Sequence, residues 1–184
     1  MKKIIWLDIG THYGQEFCSV FNSNIWFFYK LIRRFVGTFF FKRGSMVSFS
    51  EIRSIFQFRK FLNKFKNYFY FIFVEANPNI FKKPIYSSAN ESYCISLSSK
   101  ALSKIRIDKF FIINDDYKGQ GNTLYSQKKN VDLKKFLSVL IINPEFFAKE
   151  VKRNLDINFD DYEIFLRLNC EGSEDEIIYS FKKV

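Results

Sequence analysis

The chain has 184 residues, 47% of them hydrophobic and 26% charged, a balance that suits one domain with one apolar core rather than a disordered or membrane-spanning protein. Its three cysteines, Cys18, Cys94 and Cys170, lie far apart and form no CxxC or Cys/His spacing, so neither a disulfide framework nor a zinc site is suggested, and free thiols fit a reducing compartment. The net charge of +10 is concentrated: ten Lys or Arg side chains lie between Asn24 and Asn67 against Glu51 alone, so an anionic partner is to be sought there.

Taken in order, Lys3–Asp8 reads as a buried first strand. Its apolar run is too short for a signal-peptide core, so the cytoplasm is the expected location. A Gly-x-x-x-Gly turn follows, and Gln15–Phe21 opens a helix. Residues 24–67 read as an inserted pair of amphipathic helices separated by Lys42-Arg43-Gly44-Ser45. In the first, Ile25, Phe28, Tyr29, Ile32, Phe35, Val36, Phe39 and Phe40 recur at helical spacing; in the second, Ser50 is the expected N-cap. Phe69–Val74 is a continuous apolar strand that stops at Glu75-Ala76-Asn77-Pro78. Ser92–Leu97 and Lys109–Ile113 are further strands, the second closed by Asn114-Asp115-Asp116. Leu133–Leu140 and Pro144–Leu155 read as helices, Glu163–Leu168 as the last strand, and a final helix starts at Ser173. Alternating strands and helices predict one α/β domain over 1–184 with a mostly parallel sheet.

Three motifs fall at the carboxyl ends of predicted strands. The first is Asp8-Ile9-Gly10-Thr11-His12-Tyr13-Gly14-Gln15, a strand running through a glycine turn into a helix. There Gly10 permits backbone approach to a ligand and Gly14 permits close packing at the helix start. The second is Glu75, placed where an acid in a doubly wound sheet accepts hydrogen bonds from the ribose hydroxyls of a nucleoside. The third is Leu166-Arg167-Leu168-Asn169-Cys170-Glu171-Gly172-Ser173-Glu174.

In this order the three motifs resemble the signature series of FkbM-family methyltransferases. Lys100-Ala101-Leu102-Ser103 and Gly119-Gln120-Gly121-Asn122-Thr123-Leu124 are similar to two weaker elements of that family. The resemblance runs from about Ile4 to Ile178. It implies a Rossmann-like class I methyltransferase fold, S-adenosylmethionine as cofactor, and O-methylation of a glycan or related small molecule. It also implies that Asp8, Gly10 and Gly14 shape the cofactor loop, that Glu75 holds the ribose, and that Thr11, His12, Gln15, Ala76, Asn77 and Ala101 also bind the cofactor. Arg167 and Asn169 stand where the family has Lys and Asp. The family's further strands are not found before Val184, so the sheet is expected to lack its last strands. The strand beside the first then becomes an apolar edge inviting self-association.

A hydroxyl acceptor needs a base or a metal to take its proton. Glu171, Glu174 and His12 are the candidate catalytic groups, the two glutamates as base or as ligands of a divalent metal, for which no ligand spacing speaks. No nucleic-acid module is recognisable, and no nucleic-acid partner is expected. Residues 24–67 leave two readings open: a helix pair packing on the sheet, or a basic aromatic surface that makes peripheral contact with an anionic membrane. The second reading carries an alternative function, a non-catalytic methyltransferase-like scaffold that binds such a surface.

Overall fold

The computed structural model describes residues 3–22, 24–41, 49–102, 104–113, 123–127, 131–155, 161–170 and 172–184. The elements are, in chain order, β1 (Lys3–Ile9), α1 (Gln15–Phe17, continued by a π-helical turn Cys18–Asn22), α2 (Asn24–Phe41), α3 (Phe49–Lys64), β2 (Phe69–Val74), α4 (Pro78–Phe81), β3 (Glu91–Tyr93), β4 (Ser96–Leu97), β5 (Ile105–Ile113), β6 (Val131–Ile142), α5 (Pro144–Asn154), β7 (Tyr162–Leu168) and α6 (Glu174–Phe181). They divide into two compact units, one of residues 1–13 and 70–184, the other of 14–69. The helical unit contains the whole of the expected 24–67 insertion and begins earlier, at Gly14.

The first unit is α/β. One sheet has the order β3-β2-β1-β7, with β7 parallel to β1 and β3 parallel to β2. The last predicted strand therefore does lie beside the first and forms an edge, where Ile164 and Phe165 are about half exposed. Alternation on β1 sends Ile5, Leu7 and Ile9 to one face, where they pack with Ile72 and Val74 of β2, Phe147 and Val151 of α5, and Ile177 of α6. Asn143 starts α5 by accepting hydrogen bonds from the N–H groups of Glu145 and Phe146, with Pro144 in the first turn. On the other face of β1, Trp6 stacks on Phe165 of β7 at 4.3 Å between ring centres.

A second sheet, β4-β6-β5, pairs β4 parallel and β5 antiparallel to β6. Here the prediction is corrected: residues 133–140 are strand, not helix. Leu133, Phe136, Leu137 and Leu140 mimic a helical repeat, but Val139 and Ile141 alternate inward with Leu137 to pack with Ala76, Ala101, Phe110 and Leu124. Pairing along β5, from Ile105↔Ile142 to Phe111↔Phe136, settles the choice. The Ser92–Leu97 strand is likewise two short strands interrupted by Cys94 and Ile95.

In the helical unit α1 is a single α-turn before the π-helical residues, shorter than the expected Gln15–Phe21 helix. Phe27 is buried between the two long helices, its ring 4.8 Å from that of Phe56 and under the Arg59 guanidinium at 4.7 Å. Arg59 also donates to the Ser19 carbonyl and to Asn24 Oδ1, and Lys30 pairs with Glu16 at 2.5 Å. Helix α3 begins at Phe49, one residue before the expected cap Ser50. On α2, Ile25 and Ile32 are open to solvent, 81% and 59% exposed.

Candidate functional site

The carboxyl ends of β2, β1 and β7 lie side by side, and the three motifs meet there. Asp8, fully buried, is in register with Arg167 on the neighbouring parallel strand. Arg167 Nη1 donates to Asp8 Oδ1 at 2.5 Å and to the Gly10 carbonyl at 3.2 Å. Arg167 thus neutralises a buried aspartate and braces the turn beyond it. Thr11, also fully buried, donates through Oγ1 to the Asp8 carbonyl at 2.7 Å. The N–H groups of Gly10 and Thr11 both donate to the Val74 carbonyl.

Gly10 has φ +75°, and a Cβ placed on it would lie 2.1 Å from the Asn169 carbonyl oxygen. The glycine is demanded by the chain leaving β7, which comes so close that Asn169 N–H donates to the Ile9 carbonyl at 2.9 Å. That close packing by itself requires a glycine. Gly14, also left-handed at φ +63°, caps α1, and Gln15 follows as its first residue.

Glu75, 3% exposed, turns its carboxylate into this knot. Oε2 accepts from His12 N–H at 2.9 Å and Oε1 from Asn77 N–H at 2.8 Å, so the acid joins the β1 loop to the end of β2. Burial pushes its pKa up, against the lowering effects of His12 and of the two backbone donors. An acid shifted this way favours folding most at pH below its unfolded value, and the contribution falls as pH rises through the folded one. Each carboxylate oxygen keeps a second acceptor direction. Asn77 is committed to capping α4 through Asn79 N–H.

His12 sits at the left-handed φ of 53°, its carbonyl accepting from Tyr86 Oη–H at 2.6 Å. Nδ1 lies 3.7 Å from Glu75 Oε2, and neither buried ring nitrogen has a hydrogen-bond partner among the described residues. Glu174 grips its own loop, accepting from Cys170 N–H at 2.9 Å and Gly172 N–H at 2.8 Å. Cys170 is inert as a nucleophile: burial raises its thiol to about 12. Glu171 lies outside the described residues, as do Asn114–Asp116 and most of the Gly119–Leu124 element.

A small cleft opens between these motifs, bordered by Gly10, His12, Glu75, Ala76, Asn169 and Cys170. Its cavity is about 30 Å³, room for one or two waters. Ala101 is not on its border; it is fully buried in the core of the second sheet. There the two weaker motifs are neighbours, since Lys100 Nζ donates to the Leu124 carbonyl at 2.8 Å and lies 4.6 Å from the Tyr125 ring centre. Three contributors are absent from the motif reading: Tyr86, Tyr125 and Glu176. Glu176 accepts from Ser99 N–H and from Tyr125 Oη–H, tying α6 to the segment after β4. Their sequence separations leave no local signal, although Glu176 follows Glu174 on the same helix. Among the described residues no group of three or more His, Cys, Asp or Glu side chains could hold a metal ion.

No family model, no curated protein and no solved structure matches the chain.

Proposed function

We propose that the chain is an S-adenosylmethionine-dependent O-methyltransferase of the FkbM kind, built on a Rossmann-like class I fold and acting on a hydroxyl of a glycan or related small molecule. The observation that carries this reading is the meeting of three motifs at adjacent strand ends: the glycine turn after β1, Glu75 after β2, and the Asn169–Gly172 segment after β7. The donor set suits a nucleoside. Glu75 retains acceptor directions for ribose hydroxyls, and the His12 ring nitrogens, buried at the cleft, offer polar groups for a ligand. The space does not yet suit it, because nucleoside-sized ligands occupy pockets of about 300 Å³ or more. Binding therefore requires the cleft border to open.

The cofactor supplies an electrophilic methyl group on a sulfonium. The protein's part is to place the acceptor oxygen in line and to take its proton. Of the three candidate groups, His12 supports this role best among the described residues, because Glu174 already accepts two backbone N–H groups. The Asp8–Arg167 pair is a positioning device that fixes the turn on which His12 stands.

Calorimetry with S-adenosylmethionine and with its demethylated product tests the reading. We expect binding in the unaltered chain. Glu75→Gln should weaken it roughly tenfold or more, as loss of a charge-assisted contact costs about 1.5–3 kcal/mol. A melting curve on the variant checks that the loop still folds. No binding by the unaltered chain, or a folded Glu75→Gln variant of undiminished affinity, overturns the assignment.

A further inference from the structure

Among the described side chains of α2, the exposed ones include a run of apolar groups. Ile25, Phe28, Tyr29, Ile32 and Val36 are all exposed, and their spacing of 3, 4, 7 and 11 residues from Ile25 sets them in one stripe about 16 Å long. Trp26 and Arg33, seven residues apart, lie along one border of the stripe, and both are exposed. On α3, Phe58 and Phe61 are exposed beside Lys60 and Lys64. Among the described side chains of α2, Phe27 is the buried one. A helix that keeps its aromatic face in water is stabilised if another apolar phase covers that face.

Charge selects the covering phase. Residues 24–67 carry ten Lys or Arg and one acid, so two copies of this segment brought face to face would repel. An anionic lipid surface is complementary to both features at once: acyl and headgroup boundary for the stripe, phosphates for the flanking cations. Trp26 and Tyr29 have the amphipathic rings that favour the depth of the lipid headgroups. Among the described residues no helix is long and apolar enough to cross a membrane, which leaves a helix lying in the interface plane.

We propose that the helix pair docks the protein on an anionic membrane surface, α2 lying along it with the Ile25–Val36 stripe inserted and Arg33 on the phosphates. This inference does not depend on the methyl-transfer reading.

Vesicles of phosphatidylcholine, alone or mixed in equal parts with phosphatidylglycerol, test it. Trp6 is buried in β1 and its replacement in Trp6→Phe leaves Trp26 as the only indole, so one fluorescence signal reports the stripe. The expected result is co-sedimentation with the anionic vesicles, a blue-shifted Trp26 emission, and release by high salt. Arg33→Glu should weaken partitioning about tenfold or more. Ile25→Ser with Ile32→Ser should abolish the blue shift, and both positions are exposed enough for the fold to survive. The proposal is overturned by equal partitioning onto neutral vesicles, by no partitioning at all, or by binding that ignores both variants. It is also overturned if light scattering finds a dimer that the double serine variant dissolves, since the stripe would then belong to a second copy.

Discussion

The end of the first sheet and the outer side of α2 are both rich in residues that sequence patterns single out, yet they treat water in opposite ways. At the sheet end the charged groups are inside: Asp8 is fully buried and Glu75 nearly so, each held by donors within hydrogen-bonding distance. On α2, among the described side chains, Ile25 and Phe28 are in solvent while Phe27 is enclosed. Burying a charge is tolerated when partners are fixed by strand register, as they are between Asp8 and Arg167. Exposing an apolar stripe has no such compensation among the described residues. The first region is organised around buried charged groups, the second around apolar groups in solvent.

The contrast predicts where the fold is fragile. Arg167→Met should have the largest effect, because it removes the guanidinium from a fully buried carboxylate. A loss of about 3–5 kcal/mol is expected. Thermal unfolding should show it as a fall of roughly 10 °C, and adding Asp8→Leu should return most of the stability. A variant that melts like the unaltered chain would show that the pair contributes nothing.

Gly10→Ala comes next. It sets a Cβ against the Asn169 carbonyl in a left-handed backbone, and we expect a cost of about 2–3 kcal/mol by urea unfolding. If the glycine instead served only ligand approach, the alanine variant would keep its stability and lose cofactor affinity alone. The experiment thus separates the packing reason from the binding reason.

The smallest effect belongs to the helix. Ile25→Ser should change the unfolding free energy by no more than about 0.5 kcal/mol, since its side chain is already in water. A larger loss in the same urea experiment would mean that the stripe is part of a core, and the comparison between the two regions would collapse.

Much of the architecture is legible from local pattern. The continuous apolar runs ending at Asp8 and Glu75 are strands because a strand buried on both faces needs no polar alternation, and the run through Ile164-Phe165-Leu166 is a strand at the sheet edge. The glycine turn marks where β1 must bend, and Asn143-Pro144 marks the start of α5. The motifs at three strand ends can be placed on one sheet edge because parallel strands all end on the same side.

What the sequence by itself determined is therefore the succession of strands, turns and helices wherever one periodicity dominates, together with the concentration of positive charge in residues 24–67. The tertiary structure decided the rest. Leu133, Phe136, Leu137 and Leu140 satisfy a helical repeat while Leu137, Val139 and Ile141 satisfy a strand, and only pairing with β5 chooses between them. The stripe on α2 marks an amphipathic helix, but a local repeat carries no information about whether its apolar face meets protein or water. Glu75 reads as a ribose ligand from its place at a strand end, whereas its contacts to His12 and Asn77 show it also knotting two loops. The physical reason is common to all three: local sequence fixes which groups lie on one side of an element, and only the packing of distant segments fixes what that side faces.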